Sequence, residues 1–94
     1  MTDFKVRGRS GKRYVFHMLD FTKMRDAGVF ILLRYNRNGN VYRFIMSGHA
    51  ENISIELAKP YARVVIRRKS PTHITLFNMS KADIRDTVWQ DIAR

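Results

Sequence analysis

The sequence contains no cysteine, only two prolines and few acidic side chains. The lack of cysteine excludes disulfide bonds, thiolate metal sites and a cysteine nucleophile. The longest uninterrupted apolar run has five residues, 29–33, whereas a membrane-spanning helix needs about 18. We therefore expect neither a signal peptide nor a membrane span, and this composition is compatible with a cytoplasmic location.

Positive charge is the most prominent feature of the composition. Eighteen Lys and Arg stand against eight Asp and Glu, which gives a net charge of +10. Residues 1–47 carry +7 of this charge and residues 48–94 carry +3. A field of this sign attracts polyanions, of which nucleic acid is the commonest, followed by anionic membrane surfaces and acidic proteins. We expect DNA or RNA as the partner, with a protein partner or self-association as the alternative and no membrane.

The length of 94 residues and the 45% of apolar residues predict a single domain, 1–94, that buries its own core. Its centre is a hairpin over residues 28–47. Two β-prone runs, 29–35 and 41–46, flank Asn36-Arg37-Asn38-Gly39-Asn40, and Asn and Gly tolerate the backbone angles of tight turns. Both faces of the first run are apolar near Gly28, so we expect this hairpin to be covered on both sides, with its turn in solvent.

Further elements surround this hairpin. Residues 4–19 predict an N-terminal hairpin with a basic turn. Ile53, Leu57 and Tyr61 recur every fourth residue and predict a short helix, while Pro60 can open a second helix that ends at residue 69. Residues 73–77 alternate as a strand, and residues 80–93 predict a last helix capped by Ser80. The sequence thus predicts an α+β domain, in the order β-β-β-α-α-β-α, with a small and mostly antiparallel sheet flanked by about three helices.

Gly28-Val29-Phe30 and Ile45-Met46-Ser47-Gly48, followed by a helix, a strand and a last helix, resemble the GIY-YIG endonuclease fold. The order and spacing of these elements carry the resemblance, which covers most of the chain. The segment Phe4 to Phe16 is also similar to the start of some small bacterial members. The resemblance implies a nuclease-like architecture.

The positions that match the catalytic residues of this family hold other side chains. Its two tyrosines match Phe30 and Met46, and its arginine matches Glu56. Its metal-binding glutamate matches Trp89, or Gln90 if the register shifts by one. Phosphodiester hydrolysis needs a proton acceptor, a cation on the phosphate and usually a metal ion. Phe30, Met46 and Trp89 supply none of them, and the carboxylate of Glu56 would repel the phosphate. The resemblance therefore implies a degenerate scaffold with no catalytic residues, and we expect no metal and no cofactor.

Two other functions stay open. A nuclease or an enzyme like the small ribonuclease toxins would need an unrecognised site around His49, which follows Gly48 at an expected strand-to-helix loop. A protein-interaction module would use exposed apolar side chains at Phe30, Met46 and Trp89, and it predicts a contiguous apolar patch or a dimer.

The basic side chains give the strongest candidate site. They could form a groove for a phosphate backbone, with tyrosines at positions 14, 35 and 42 able to stack on bases. The plain alternative is a solvated charged surface. The nine candidates for binding nucleic acid are Lys12, Arg13, Arg34, Arg37, Arg43, Arg63, Arg67, Arg68 and Lys69.

Overall fold

The computed structural model of this protein describes residues 3–19 and 24–93. The elements, in chain order, are β1 (Asp3–Arg7), β2 (Arg13–Met18), β3 (Gly28–Asn36), β4 (Val41–Ala50), α1 (Ile53–Leu57), α2 (Pro60–Lys69), β5 (His73–Asn78) and α3 (Ala82–Ile92). The chain is therefore α+β, with five strands and three helices in these ranges. The predicted order β-β-β-α-α-β-α is one strand short, because the two predicted hairpins contain four strands and the structure forms all four, with β1 paired to β2 over five residues.

The last strand lies between the two hairpins. The sheet order is β1-β2-β5-β3-β4, and every neighbouring pair is antiparallel. Leu76 lies opposite His17 of β2 and also opposite Phe30 of β3, so β5 joins the hairpins into one sheet. This order places the β1–β2 turn and the β3–β4 turn at opposite ends of the sheet.

The sheet is covered on both faces, as expected for a central hairpin with two apolar sides. Successive side chains of a strand point to opposite faces. Val29, Ile31 and Leu33 pack with α3, whereas Phe30 and Leu32 pack with α1 and α2. None of the five is more than 8% exposed. The first four residues of β4 are exposed instead, so the turn end of the hairpin reaches solvent as predicted.

The central hairpin is longer than the predicted range of 28–47. Its pairing continues to Ala50, so His49 is a strand residue opposite Val29 and does not lie in a strand-to-helix loop. Gly48 makes this extension possible, since a Cβ at this position would lie 2.7 Å from the Phe30 ring. The register shifts between Leu32 and Leu33, which leaves one extra residue in β4.

The helices begin and end close to the predicted residues. Asn52 caps α1, where its Oδ1 accepts a hydrogen bond from the Ile55 amide at 3.2 Å. Pro60 opens α2 as expected. The predicted Ser80 cap is wrong, because Lys81 holds that position without a side-chain hydrogen bond. The Ser80 carbonyl instead accepts a hydrogen bond at 2.7 Å from the buried guanidinium of Arg85. A side chain of α3 thus holds the residue that precedes the helix.

The sheet curls so that its two edge strands approach each other. The rings of Phe4 on β1 and Tyr42 on β4 meet edge to face, with centroids 4.9 Å apart. Such pairs add about 0.5–1.5 kcal/mol beyond the area that they bury. The curl leaves a groove on the α3 side of the sheet, between the two edges.

Candidate nucleic-acid interface

The turn between β3 and β4 is built by asparagine side chains. Asn36 Oδ1 accepts a hydrogen bond from the Asn38 amide at 3.0 Å. Asn40 adopts a φ of 51°, in the left-handed region that asparagine tolerates better than most residues. Its Oδ1 also accepts from the Tyr35 hydroxyl at 2.7 Å. These local bonds fix the end of the hairpin without using any cationic side chain.

Three of the predicted arginines come together at this turn. Arg34, Arg37 and Arg43 line one open surface depression of about 460 Å³, together with Asn36 and Asn38. Arg34 and Arg43 are direct cross-strand partners. Like charges in directly opposite positions destabilise a sheet unless something neutralises them. The hairpin therefore carries a small electrostatic cost that a bound anion would relieve.

The C-terminus of α2 lies against the same end of the sheet. Arg34 Nη1 donates a hydrogen bond to the Ser70 carbonyl at 2.7 Å, and the Thr72 amide donates to the Leu33 carbonyl at 2.9 Å. Ser70 ends the helix in a left-handed conformation, with φ 48°. The last turn of α2 holds Arg67, Arg68 and Lys69, whose charges suit the negative end of the helix dipole.

We call this combined surface the basic end. Its members are cations that the β3–β4 turn and the last turn of α2 bring to one end of the sheet: Arg34, Arg37, Arg43, Arg67, Arg68 and Lys69. Arg63 lies one helical turn before Arg67 on an exposed side of α2. Seven of the nine predicted residues thus belong to the basic end or to the helix that leads into it.

Acidic side chains are missing from this part of the chain. Residues 27–50 and 57–82 contain nine Lys and Arg and no Asp or Glu. Across residues 3–19 and 24–93, the ion pairs join His17 to Asp3, His49 to Asp86 and Lys59 to Glu56. None of them uses an arginine, so no carboxylate within these two ranges forms an ion pair with an arginine of the basic end.

The other two predicted residues, Lys12 and Arg13, lie at the opposite end of the sheet, and this separation contradicts one continuous groove. They lie at the β1–β2 turn, which is hydrogen-bonded to the end of α3. Asp91 accepts hydrogen bonds there from the Ser10 amide at 2.8 Å and from the Tyr14 hydroxyl at 2.7 Å. Sequence reasoning missed these hydrogen bonds, because no local pattern relates positions 10 and 91.

The three tyrosines proposed to stack on bases already have partners. The Tyr14 ring packs on Phe77 at 5.6 Å, and its hydroxyl is engaged by Asp91. Burial and then the Asp91 carboxylate raise the pKa of Tyr14. Tyr35 and Tyr42 pack on each other at 4.9 Å, and both contact the ring of His73. The base-stacking surface would have to be the remaining exposed part of Tyr42.

The positions that match the nuclease site do not form one open pocket. Phe30 is fully buried and Met46 is partly buried, and both pack under α1 and α2. Trp89 lies on the other face of the sheet, where its Nε1 donates to Ser47 Oγ at 3.1 Å. The prediction that Phe30 is an exposed apolar contact is therefore wrong, since its strand is covered on both sides.

Glu56 is occupied by its own neighbours. Its carboxylate accepts a hydrogen bond from the Tyr61 hydroxyl and pairs with Lys59 Nζ at 2.9 Å. Burial would raise the pKa of Glu56, but the bonds from Tyr61 and Lys59 together outweigh it and lower that pKa. Burial and the same Glu56 carboxylate raise the pKa of Tyr61 to about 12. This cluster stabilises an anion beside α1, which is unfavourable for a phosphate at the same place.

His49 lies on the α3 face of β4, opposite Val29. Its Nε2 is 3.5 Å from Asp86 Oδ1, and its ring centroid is 5.4 Å from that of Trp89. Its Nδ1 is buried and has no hydrogen-bond partner within the described residues. A general base at this position would have to use Nε2, the nitrogen that faces Asp86.

Nothing in residues 3–19 and 24–93 brings three His, Cys, Asp or Glu side chains close enough to hold a metal ion. Among the same residues, no helix combines the length and hydrophobicity needed to cross a membrane. No family model, curated protein or solved structure matches this chain.

Proposed function

We propose that this protein binds nucleic acid through the phosphates at the basic end and does not cleave it. The observation that carries the proposal is the depression lined by Arg34, Arg37 and Arg43, where two arginines oppose each other and no carboxylate of the described residues pairs with them. A phosphate backbone supplies the missing negative charge and gains affinity from the release of its counterions.

The guanidinium group of arginine binds phosphate more specifically than positive charge alone would. The guanidinium group is planar, always charged and able to hold phosphate oxygens with two parallel hydrogen bonds. One guanidinium of the group is already oriented, because Arg34 donates to the Ser70 carbonyl. Contacts to phosphates carry no sequence information, so we expect binding that tolerates any sequence and weakens steeply with salt.

The scaffold belongs to the same proposal. Two observations support a GIY-YIG-like scaffold. From Gly28 onward the elements are two strands, two helices, a strand and a helix. The segments 28–30 and 45–48, which resemble the two motifs of that family, also lie in neighbouring strands. Phe30 lies opposite Gly48 and Leu32 opposite Met46 in adjacent strands. On a GIY-YIG-like scaffold Phe30, Met46 and Trp89 cannot activate water, and the Glu56 carboxylate is engaged by Tyr61 and Lys59. We therefore expect retention of binding and loss of catalysis.

The test is a titration of labelled single-stranded and double-stranded DNA and RNA at low and moderate salt. The variant Arg37→Gln/Arg43→Gln removes two charges from the basic end, and Lys12→Gln/Arg13→Gln removes two from the opposite end as a matched control. The slope of log affinity against log salt should fall by about 1 for each phosphate that a variant no longer neutralises. Equal losses in the two variants would show that net charge, and not the basic end, determines binding.

A gel assay of the same mixtures with magnesium tests the absence of catalysis. We expect intact nucleic acid from the parent protein and from His49→Ala. Cleavage by the parent that disappears in His49→Ala would contradict the proposal and would establish an enzyme with its site at the β4 edge.

A further inference from the structure

The groove between the two edge strands has no role in the proposed function. It has a volume of about 270 Å³ on the α3 side of the curled sheet. Apolar side chains from both edge strands, from β3 and from the end of α3 line it: Phe4, Ile31, Leu33, Tyr42, Phe44 and Ile92. The contact between Phe4 and Tyr42 spans it from edge to edge.

The first half of β4 forms an unusually open rim for this groove. Val41 is 56% exposed, Tyr42 37% and Phe44 39%. Within the described residues β4 pairs only with β3, so alternate backbone amides and carbonyls on its outer side are unpaired. Native proteins normally shorten, charge or cover such an edge, because it is a template for another strand.

We infer that this edge and groove bind an extended peptide in which apolar and acidic residues alternate. The peptide adds to the outer side of Val41–Phe44, before the bulge of β4, as a sixth strand, a known mode of peptide recognition. The partner chemistry follows from the two faces of β4. On one face Tyr42 and Phe44 line the groove, and on the other Arg43 lies opposite Arg34.

A strand added here has side chains on the same two faces, with a period of two. Every second residue enters the groove and must be apolar. The residues between them lie on the same face as Arg43, their neighbour on β4, and are favoured when acidic. Lys5 and Arg7 supply further cations at the opposite rim of the groove.

A second copy of this chain fits the same edge poorly. Each copy carries a charge of +10. Pairing through β4 would place the arginines of one copy against those of the other, which opposes association. The charge complementarity therefore favours a different, acidic strand.

The test uses a short capped peptide in which valine and glutamate alternate, and a second peptide with the same residues in two blocks. We expect the alternating peptide to slow amide hydrogen exchange in Val41–Phe44, and the block peptide to leave it unchanged. Equal effects of both peptides would reduce the interaction to charge attraction and overturn the inference. Unchanged exchange with both peptides, or a dimer in sedimentation, would overturn it as well.

A pair of variants locates the site. Phe44→Thr removes an apolar wall of the groove and should weaken the alternating peptide by about tenfold or more, as for a central interface residue. Val15→Thr is the matched control, because Val15 is 37% exposed but lies in β2, outside the groove. Phe44→Thr should leave the affinity for nucleic acid unchanged, so the failure of this inference is distinguishable from failure of the proposed function. Equal weakening of the peptide by both variants would contradict a site in the groove.

Discussion

Both ends of the sheet carry a turn rich in cations, and the two turns differ in what surrounds them. At the β1–β2 turn, Asp91 accepts hydrogen bonds from Ser10 and Tyr14, and the Arg9 amide donates to the Asp91 carbonyl. At the β3–β4 turn, Asn36 and Asn40 make the local bonds, and no carboxylate is within salt-bridge distance of its arginines among the described residues.

This difference separates two uses of a basic turn. Near Asp91 the turn is part of the packing between the N-terminal hairpin and α3, so its geometry contributes to stability. At the basic end, none of the arginines forms an ion pair among residues 3–19 and 24–93, which leaves their charge available to a ligand. A count of Lys and Arg cannot distinguish the two, because the distinction depends on where the few acidic residues lie.

The largest expected effect is a loss of stability at the β1–β2 turn. Gly8 is buried, and a Cβ added there would overlap the carboxylate of Asp91, which hydrogen bonds hold in place. Gly8→Ala should destabilise the protein by about 1–3 kcal/mol, the usual cost of overpacking. Gly39→Ala at the other turn meets its first neighbour at 3.4 Å and should change stability by less than about 0.5 kcal/mol. Urea denaturation of the two variants measures both values, and similar losses would contradict the contrast between the turns.

A smaller effect should follow from giving the basic end an acid of its own. Asn38 lines the depression with Arg34, Arg37 and Arg43, and only its backbone amide takes part in the turn. Asn38→Asp should reduce the affinity for nucleic acid at low salt by about two- to fivefold, the effect of an exposed ion pair worth a fraction of a kcal/mol to about 1 kcal/mol. Anisotropy titration measures it, with Asn38→Ser as the neutral control. An Asn38→Asp affinity equal to that of the control would place the phosphates elsewhere.

The smallest expected effect is a loss of stability at acidic pH. Hydrogen bonds from the Ser10 hydroxyl, the Tyr14 hydroxyl and the Ser10 amide lower the pKa of Asp91 below its ordinary value of 3.8. A carboxyl with a lower pKa in the folded state stabilises the fold above the unfolded value, and this contribution disappears as the pH falls through the folded value.

We therefore expect the melting temperature of the parent protein to fall more steeply below pH 3.8 than that of Asp91→Asn. Glu56 also has a lowered pKa and adds to the acid sensitivity of both proteins, so the difference between them isolates Asp91. Thermal unfolding at a series of acidic pH values measures this difference. Parallel curves would show that the bonds to Asp91 are absent in solution.

The local elements follow from the sequence because their signals are local. Asn36 to Asn40 marks the central turn, Asn52 and Pro60 mark the starts of two helices, and each signal involves neighbouring residues. The pairing of Arg34 with Arg43 could also have been found, by counting outward from a four-residue turn. The bulge in β4 and the curl of the sheet could not, since they depend on how both faces of the sheet pack.

The candidate site was predictable only in part for the same reason. Charge and turn position identify Arg34, Arg37 and Arg43 as a group. The hydrogen bond from Arg34 to Ser70 joins residues 36 positions apart, and the bond from Ser10 to Asp91 joins residues 81 positions apart. Such contacts depend on the complete fold, so the sequence suggested one continuous groove where the structure separates two ends.

The position of β5 has a consequence for how the chain acquires its structure during synthesis. Both hairpins precede β5, yet in the described sheet they are joined only through it. A nascent chain that ends before His73 contains two hairpins with no shared ladder, and an isolated hairpin is marginally stable at best in water. The cooperative unit should therefore form late, when β5 emerges from the ribosome and pairs with β2 and β3 at once.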